Sequence, residues 1–338
     1  MDHSEYTTNQ RQIGNGFNPR PWARNPHLQS IFASLHLRTL GGNEMVDHAD
    51  EVIVDGGNGV RLLGYHSRRP DGEGKALVLI IHGWEGSSNS TYVLHTGEYL
   101  FKRGCDIFRL NLRDHGESHH LNEGLFHGAL TEETITAVRN ASQLAGNRPF
   151  FVVGFSLGGN FALRVALHTK RIAVQNLRHV ICISPLIDPY KSVLCIDRGP
   201  AVYRYYFVRK WRKSLRKKQE LFPRLYNFED LLHTNDSLEM TKILVNRYTP
   251  FRDYRDYFNQ YTLLGDTLGD IAVPVTVVTS EDDPMIPVTD FYNIRANHHM
   301  NLIIHRYGGH CGFLDPFPFG CWYEPQICRI VEQYEKPS

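Results

Sequence analysis

The chain contains 338 residues, 41% of them apolar, and its 37 basic and 36 acidic residues give a formal net charge of +1. This is the composition of an ordinary globular protein with enough apolar residues for a large core. The balanced charge argues against a nucleic-acid-binding protein, because that class usually carries a clear basic excess.

The first segment, residues 1–24, is mostly polar, and we interpret it as an N-terminal arm. It lacks the apolar centre of a secretory signal, and no part of the chain approaches the ~18 consecutive apolar residues of a membrane span. The cysteines form no C-x-x-C pair, and Cys182 lies inside an apolar run, which is typical of a buried free thiol. These features predict a cytoplasmic protein without a metal site.

Short apolar runs alternate with helix-length segments along the rest of the chain. Residues 51–54 and 61–65 flank a glycine-rich turn and predict an antiparallel hairpin. Six further runs rich in Val, Ile and Phe predict strands, at residues 76–81, 106–112, 150–155, 180–184, 275–279 and 302–305. Continuous apolar strands separated by helices are typical of a mostly parallel central sheet with helices on both faces.

Residues 185–265 interrupt this alternation, because about eighty residues separate two predicted strands, far more than a normal connection needs. The segment is rich in aromatic residues and carries 15 lysines and arginines against 9 aspartates and glutamates. We therefore predict that residues 185–265 form a helical cap insertion over the carboxyl edge of the sheet. The core domain would then comprise residues 25–184 and 266–338.

An amphipathic pattern covers residues 203–218 of the predicted cap. Large apolar side chains recur at every fourth position on one helical face, at Tyr203, Phe207, Trp211 and Leu215. Basic side chains lie mostly on the other face, at Arg209, Arg212, Lys213, Arg216 and Lys217. Two interpretations stay open: a helix that contacts an anionic lipid surface, or a cap helix packed on the core with a solvated basic face.

Residues 154–159 read Gly-Phe-Ser-Leu-Gly-Gly and contain the pattern G-x-S-x-G. The pattern is weak by itself, but here it follows a predicted strand and precedes a predicted helix that begins near Asn160. This strand–turn–helix context is the one that a nucleophile elbow requires. Glycines permit the strained turn in which the serine projects above the sheet edge. Ser156 is therefore the candidate nucleophile.

A serine hydroxyl needs a base that takes its proton, and the base needs a carboxylate that fixes its tautomer. His310 lies in a glycine-rich loop directly after the last predicted strand, so it is the candidate base. Asp283 follows the preceding strand and is the favoured carboxylate, with Asp282 as the alternative and Asp188 as an outside candidate.

An oxyanion hole needs two backbone N–H groups directed at the developing negative charge. We assign one to Leu157, the residue after the nucleophile, and one to Trp84, in the loop after the strand at residues 76–81. The chain order of Ser156, Asp283 and His310 is that of α/β-hydrolases. This mechanism needs neither cofactor nor metal.

The chain resembles the α/β-hydrolase superfamily. More narrowly, it resembles the YheT-like esterase branch, which also includes eukaryotic membrane-anchored lipases and yeast acyltransferases that form ethyl esters. The likeness rests on five motifs, at residues 25–30 (Asn-Pro-His-Leu-Gln-Ser), 82–87 (His-Gly-Trp-Glu-Gly-Ser), 154–160, 282–284 and 308–313. It implies an α/β-hydrolase fold and a catalytic triad of Ser156, Asp283 and His310. The membrane helix of the eukaryotic relatives has no counterpart here, so membrane anchoring is not transferred.

These observations predict a carboxylic ester hydrolase that acts on small-molecule, acyl or lipid-like esters through an acyl-enzyme intermediate. Two alternatives stay open. Asp315 lies five residues after His310. This spacing is seen in some acyltransferase relatives, which move the acyl group to an alcohol. The third possibility is a ligand-binding relative without catalytic activity.

Overall fold

The computed structural model describes residues 11–13, 16–35, 42–317 and 319–335. Of the predicted N-terminal arm, residues 1–10 and 14–15 lie outside the described residues. Within the arm, residues 11–13 form a strand, and the side chains of Phe17 and Ala23 are buried.

One central sheet organises the described part of the chain. Its nine strands are β1 (Arg11–Ile13), β2 (Ala49–Gly57), β3 (Val60–Ser67), β4 (Ala76–Ile81), β5 (Cys105–Leu110), β6 (Phe150–Phe155), β7 (Leu177–Ile183), β8 (Val275–Ser280) and β9 (Met300–His305). Their spatial order is β1-β9-β8-β7-β6-β4-β5-β3-β2. Strand β3 pairs antiparallel with β2 and β5, and the remaining described pairs are parallel. The predicted mostly parallel sheet is thus confirmed.

Eleven α-helices occur in the described part of the chain. They are α1 (Pro26–Ser34), α2 (Glu44–Asp47), α3 (Thr91–Phe101), α4 (Thr131–Ser142), α5 (Leu157–His168), α6 (Pro189–Arg198), α7 (Ala201–Leu221), α8 (Ser237–Tyr248), α9 (Tyr254–Asn259), α10 (Val288–Tyr292) and α11 (Tyr323–Glu332). None of these described helices is both long and apolar enough to cross a membrane.

The two faces of the sheet are both covered, which explains the continuous apolar strands. Side chains alternate between the faces of a strand. In β4, Leu77 and Leu79 pack on one side in the cluster that includes residues of α4 and α5. Val78 and Ile80 pack on the other side with residues of α3 and α11. Every residue of β4 and β6 is buried.

Helices α6 to α9 lie between β7 and β8, within the segment predicted as the cap. The large apolar side chains that recur every four residues on α7 face inward. Tyr203 and Leu215 are buried, and Phe207 and Trp211 are half-buried. The outward face of the helix exposes three basic side chains, those of Arg209, Lys213 and Arg216. The apolar face therefore packs on the molecule, and the basic face meets solvent.

Candidate active site

Ser156 occupies a one-residue turn between β6 and α5. Its backbone has φ 53° and ψ −118°, and its N–H donates to the carbonyl of Ile183 at 3.0 Å. The flanking glycines are required by close packing: a Cβ on Gly154 would lie 2.3 Å from the Gly158 carbonyl oxygen, and one on Gly158 would lie 2.4 Å from that of Ile81. The G-x-S-x-G pattern therefore reflects a backbone that leaves no room for side chains beside a strained serine.

His310 lies in the loop after β9, and its ring contacts a buried carboxylate. Its Nδ1 is 2.8 Å from Oδ2 of Asp283, whose side chain is fully buried. The second oxygen of Asp283 accepts hydrogen bonds from the N–H groups of Met285 and Ile286, at 2.8 and 2.9 Å. The carboxylate is thus fixed from both sides, and it can hold the His310 ring in one orientation.

The electrostatic environment of His310 favours its protonated form. Desolvation of the buried ring opposes the charge, but the charge and hydrogen bond of Asp283, together with the neighbouring Cys311, outweigh it and raise the pKa of His310 well above its ordinary value. An imidazole placed in this way is a strong proton acceptor, and its imidazolium is stabilised once formed.

The proposed site residues converge on one cavity. Ser156, His310, Leu157 and Trp84 all line a cavity of about 650 Å³. Asp283 lies behind His310 and outside the lining. Within the described part of the chain, no hydrogen bond joins the Ser156 hydroxyl to the His310 ring. Such contacts are often loose in enzymes without substrate and tighten in the complex.

The alternative acids have other contacts. Asp282 accepts a hydrogen bond from the Gly309 N–H at 2.9 Å and so supports the backbone of the His310 loop. Asp188 caps the N-terminus of α6 by accepting from the Lys191 N–H at 3.1 Å. Asp315 is exposed. Only Asp283, among these acids, is hydrogen-bonded to the His310 ring.

Two backbone amides are available beside Ser156. Leu157 is the first residue of α5, where N–H groups have no partner inside the helix. Trp84 lies in the loop after β4. A Cβ added to Gly83 of the same loop would lie 3.2 Å from the Cβ of Ser156, so the loop passes close to the serine. Neither the Leu157 nor the Trp84 N–H donates a hydrogen bond within the described part of the chain. Both amides are therefore free to bind a substrate oxygen.

Residues 25–30 have no role that the sequence alone predicts, and the structure places them against the His310 loop. Asn25 caps α1. The buried Gln29 accepts from the Leu314 N–H at 2.7 Å and donates to the Ala23 carbonyl at 2.7 Å. The Ser30 hydroxyl oxygen accepts from the His310 N–H at 2.8 Å. In the sequence, the Asn-Pro-His-Leu-Gln-Ser motif marks these residues only as part of the family likeness.

Aromatic side chains of α7 form one wall of the cavity. The ring of Phe207 stacks on that of Trp84 with centroids 5.1 Å apart and an interplanar angle of 9°. Trp211 meets the same Trp84 ring edge-on, also at 5.1 Å. The α7 wall thus packs directly on the loop that supplies the Trp84 amide.

One group of described residues could offer ligand atoms to a metal. His95, Cys321 and Glu324 bring such atoms within 4.8 Å of one another. The Nδ1 of His95 is 2.6 Å from Oε1 of Glu324, a contact that joins α3 to α11 as a hydrogen bond. None of the three lines the cavity of Ser156.

Comparison with known proteins gives several matches. The model of the alpha/beta hydrolase fold family matches residues 76–316. Phospholipase ABHD3 of Homo sapiens is 22% identical over 276 residues, which cover 78% of this chain and 64% of that protein. The chain therefore spans less than two thirds of that relative. The YheT protein of Escherichia coli is 24% identical over 307 residues, covering 88% of this chain and 87% of YheT.

Solved structures show the same architecture. An esterase of Pyrococcus furiosus, Pf2001, superimposes with a TM-score of 0.54 at 17% identity, over 85% of this chain and 91% of the esterase. At this identity the likeness concerns the fold, and the family match covers most of the sheet and its connecting helices. The chain belongs to the α/β-hydrolase superfamily.

Proposed function

We propose that this chain is a serine hydrolase that cleaves carboxylic esters, with Ser156 as nucleophile, His310 as base and Asp283 as the carboxylate behind it. The observation that carries the proposal is the 2.8 Å contact between His310 and Asp283 at a cavity that also contains Ser156. The fold alone would not suffice, because one fold hosts many functions. The site residues, however, have the types and order that acyl transfer requires.

The reaction follows from these positions. His310 accepts the Ser156 proton while the serine oxygen attacks the ester carbonyl carbon, and the Leu157 and Trp84 amides stabilise the oxyanion. His310 then donates that proton to the leaving alcohol as the C–O bond breaks and an acyl-enzyme forms. A water molecule, deprotonated by His310, attacks the acyl-enzyme and releases the carboxylic acid together with free Ser156.

The cavity favours an ester with an apolar acyl chain. Its volume of about 650 Å³ is that of a small-molecule site. Its wall carries apolar side chains from α6 to α9, among them Ile196, Phe207, Leu244 and Phe258. We therefore assign the predicted cap, residues 185–265, the role of enclosing the acyl chain. The similar proteins named above, a phospholipase and an esterase, agree with an ester substrate.

The mouth of the cavity adds a second element to the proposal, contact with an anionic lipid surface. Val202 and Tyr206 line the cavity and yet are 52% and 42% exposed, and the neighbouring Tyr205 is 68% exposed. On the same outward side of α7, Arg209, Lys213 and Arg216 are exposed and form no ion pair within the described part of the chain. Apolar side chains beside basic ones match a lipid surface of negative charge.

Sedimentation with vesicles tests the lipid contact. We expect the protein to bind vesicles that contain phosphatidylserine and to bind neutral phosphatidylcholine vesicles much less, with an affinity that falls as salt is added. Changing Arg209, Lys213 and Arg216 together to glutamine should weaken binding at least 10-fold, since each basic residue near such a surface contributes about 1 kcal/mol. The matched control changes the exposed Lys170, Arg171 and Arg178 to glutamine. Equal binding to both kinds of vesicle would rule out the charge-dependent contact.

Labelling with a fluorophosphonate probe tests the hydrolase itself. We expect the probe to modify Ser156 and p-nitrophenyl esters to be hydrolysed, and we expect both activities to disappear in the Ser156→Ala variant, with a loss of up to ~10⁶-fold in kcat. An unlabelled Ser156 in folded protein would instead indicate a ligand-binding relative. If added alcohol diverts the acyl group into a new ester, the acyltransferase alternative holds.

A further inference from the structure

The cavity of Ser156 contains one side chain with a permanent charge. Among the described residues that line it, Lys210 is the only lysine, arginine, aspartate or glutamate. The rest of the lining is apolar, aromatic or neutral polar, apart from His127 and His310. The acyl-enzyme mechanism proposed above does not use Lys210, so its position calls for a different explanation.

Lys210 is held beside the loop that supplies the Trp84 amide. Its ammonium donates a hydrogen bond to the Glu85 carbonyl at 2.9 Å and lies 4.9 Å from the centre of the Tyr206 ring. An ammonium group has three N–H donors, and this contact uses one of them. The positive charge therefore lies near the loop that carries the Trp84 amide, and the ammonium group keeps further N–H donors for a ligand.

No described acid neutralises this lysine. It forms no ion pair within the described part of the chain, unlike its helix neighbours Lys217 and Lys218, which pair with Glu117 and Asp114. The nearby Glu85 is not an effective counter-ion, because burial raises the pKa of its carboxyl group to about 8, against the opposing influence of Lys210. The Glu85 carboxyl therefore carries less negative charge at neutral pH than an ordinary carboxyl group would.

We propose that Lys210 forms an anion-binding subsite of the ester cavity, and that the substrates are esters carrying a phosphate or carboxylate group. This inference rests on the proposed hydrolase function. Lys210 is half-buried, and its ammonium interacts more strongly with an anion beside apolar walls than it would in open water. Phosphate and carboxylate share the acceptor oxygens and the negative charge that an ammonium group binds.

Matched pairs of substrates test the subsite and separate the two anions. For phosphate, 1-acylglycerol 3-phosphate is compared with 1-acylglycerol of the same chain length. For carboxylate, mono-p-nitrophenyl glutarate is compared with its methyl ester. We expect a higher kcat/KM for the anionic member of at least one pair, by about 10-fold or more, expressed mainly in KM.

Removing the charge should abolish this preference. In Lys210→Met, we expect kcat/KM for the anionic substrate to fall about 10- to 100-fold through KM, as for a lost charge-assisted hydrogen bond. The neutral substrate should change less than about 3-fold. Lys210→Arg should restore most of the preference. The control is Lys242→Met, which removes a half-buried lysine of α8 that does not line the cavity.

Two results would overturn the subsite. In the first, Lys210→Met lowers kcat equally for charged and neutral substrates, so that the lysine only secures the Glu85 carbonyl. In the second, the unmodified enzyme prefers the neutral member of both pairs. Calorimetric binding of 1-acylglycerol 3-phosphate to the Ser156→Ala variant, with and without Lys210→Met, measures the subsite without turnover. A failed hydrolase proposal is thereby distinguished from a failed subsite.

Discussion

The hydroxyl oxygen of Ser30 accepts a hydrogen bond from the backbone N–H of His310 at 2.8 Å, across 280 positions of the chain. The same hydroxyl donates to the Pro26 carbonyl at 2.7 Å, so its proton points along α1 and its lone pairs face the loop. Gln29, the preceding residue, binds the Leu314 N–H four residues further along that loop. Helix α1 thus holds the backbone at the candidate base and again four residues after it.

Ser30→Ala should therefore impair catalysis by His310 and leave substrate binding in the cavity largely unchanged. The variant leaves the His310 N–H without its partner, at a cost of about 1–3 kcal/mol for a buried donor. We expect kcat to fall about 10-fold or more with KM little changed, because the ring of His310 loses its fixed position relative to Ser156. Steady-state kinetics on a short p-nitrophenyl ester measures both constants.

A control variant separates positioning from general loss of stability. Thr134 in α4 is buried, and its hydroxyl also donates to a carbonyl four residues earlier, that of Leu130. Thr134→Ala should lower the melting temperature by a similar amount and leave kcat unchanged. Ser30→Thr, which keeps the hydroxyl, should recover much of the activity. Equal losses of kcat in Ser30→Ala and Thr134→Ala would remove the positioning role.

The pH dependence of catalysis should depend on Asp283. The base must be unprotonated, so kcat/KM rises with pH through the pKa of His310, which Asp283 raises. Asp283→Asn removes the negative charge, lowers the pKa of His310 and shifts the rising limb to lower pH. The remaining activity should be about 10⁴-fold lower, because the amide does not hold the required tautomer. If the rising limb of the pH profile stays at the same pH in Asp283→Asn, the pairing of Asp283 with His310 is contradicted.

Asp282→Asn is the matched control for that experiment. Asp282 lies one residue earlier, but its Oδ1 binds the Gly309 N–H and not the imidazole. Asparagine retains a carbonyl oxygen that can accept this bond, so we expect a loss in kcat below about 10-fold and an unshifted pH profile. If Asp282→Asn were the more damaging of the two, the carboxylate assignment would have to be reversed.

The sheet and the elbow were predictable from sequence because both depend on local patterns. Runs such as residues 76–81 are apolar throughout since both faces of β4 are covered, and the glycines around Ser156 reflect contacts within a few residues. One boundary differed: α5 begins at Leu157, earlier than the predicted start near Asn160. A single residue of positive φ at Ser156 completes the turn, so the helix needs no further loop.

Long-range contacts could not be predicted in the same way. The motif at residues 25–30 marks a family likeness, but it does not indicate that Ser30 will meet His310, because that contact depends on how α1 packs after the sheet has formed. Lys210 and Lys213 are also alike in sequence, yet the first lines the cavity and the second faces solvent. The two positions lie about 60° apart around the helix axis, so they are neighbours on the helix surface, and the packing of α7 decides which of them borders the cavity.

The preference of the enzyme for the acyl chain length of its substrate should depend on Phe207. Its ring stacks on Trp84 and forms part of the cavity wall, and such an aromatic pair contributes about 0.5–1.5 kcal/mol beyond buried area. In Phe207→Ala we expect kcat/KM for p-nitrophenyl laurate to fall several-fold more than for the acetate. The control is Phe319→Ala, which removes an aromatic ring that is 61% exposed and outside the cavity lining. A uniform loss across chain lengths would place Phe207 outside the acyl site.

Lys218 should be the main polar anchor of α7 on the body of the molecule. Its side chain is 1% exposed, and its ammonium donates to Asp114 at 2.7 Å and to the carbonyls of Asn122 and Gly124 at 2.6 and 3.0 Å. Burial lowers the pKa of Lys218 and raises that of Asp114, so each charge depends on the other for its stability.

Lys218→Met would leave the Asp114 carboxylate buried without its cation. We expect the free energy of unfolding to fall by about 3–5 kcal/mol in urea at neutral pH. Lys242→Met, which breaks a surface pair with Glu239, should cost no more than about 1 kcal/mol. Because α7 also carries the cavity wall and Lys210, the variant should lose affinity for esters before it unfolds, seen as a rise in KM at urea concentrations where the unmodified protein is unaffected. Unchanged urea resistance would mean that apolar packing alone holds α7 in place.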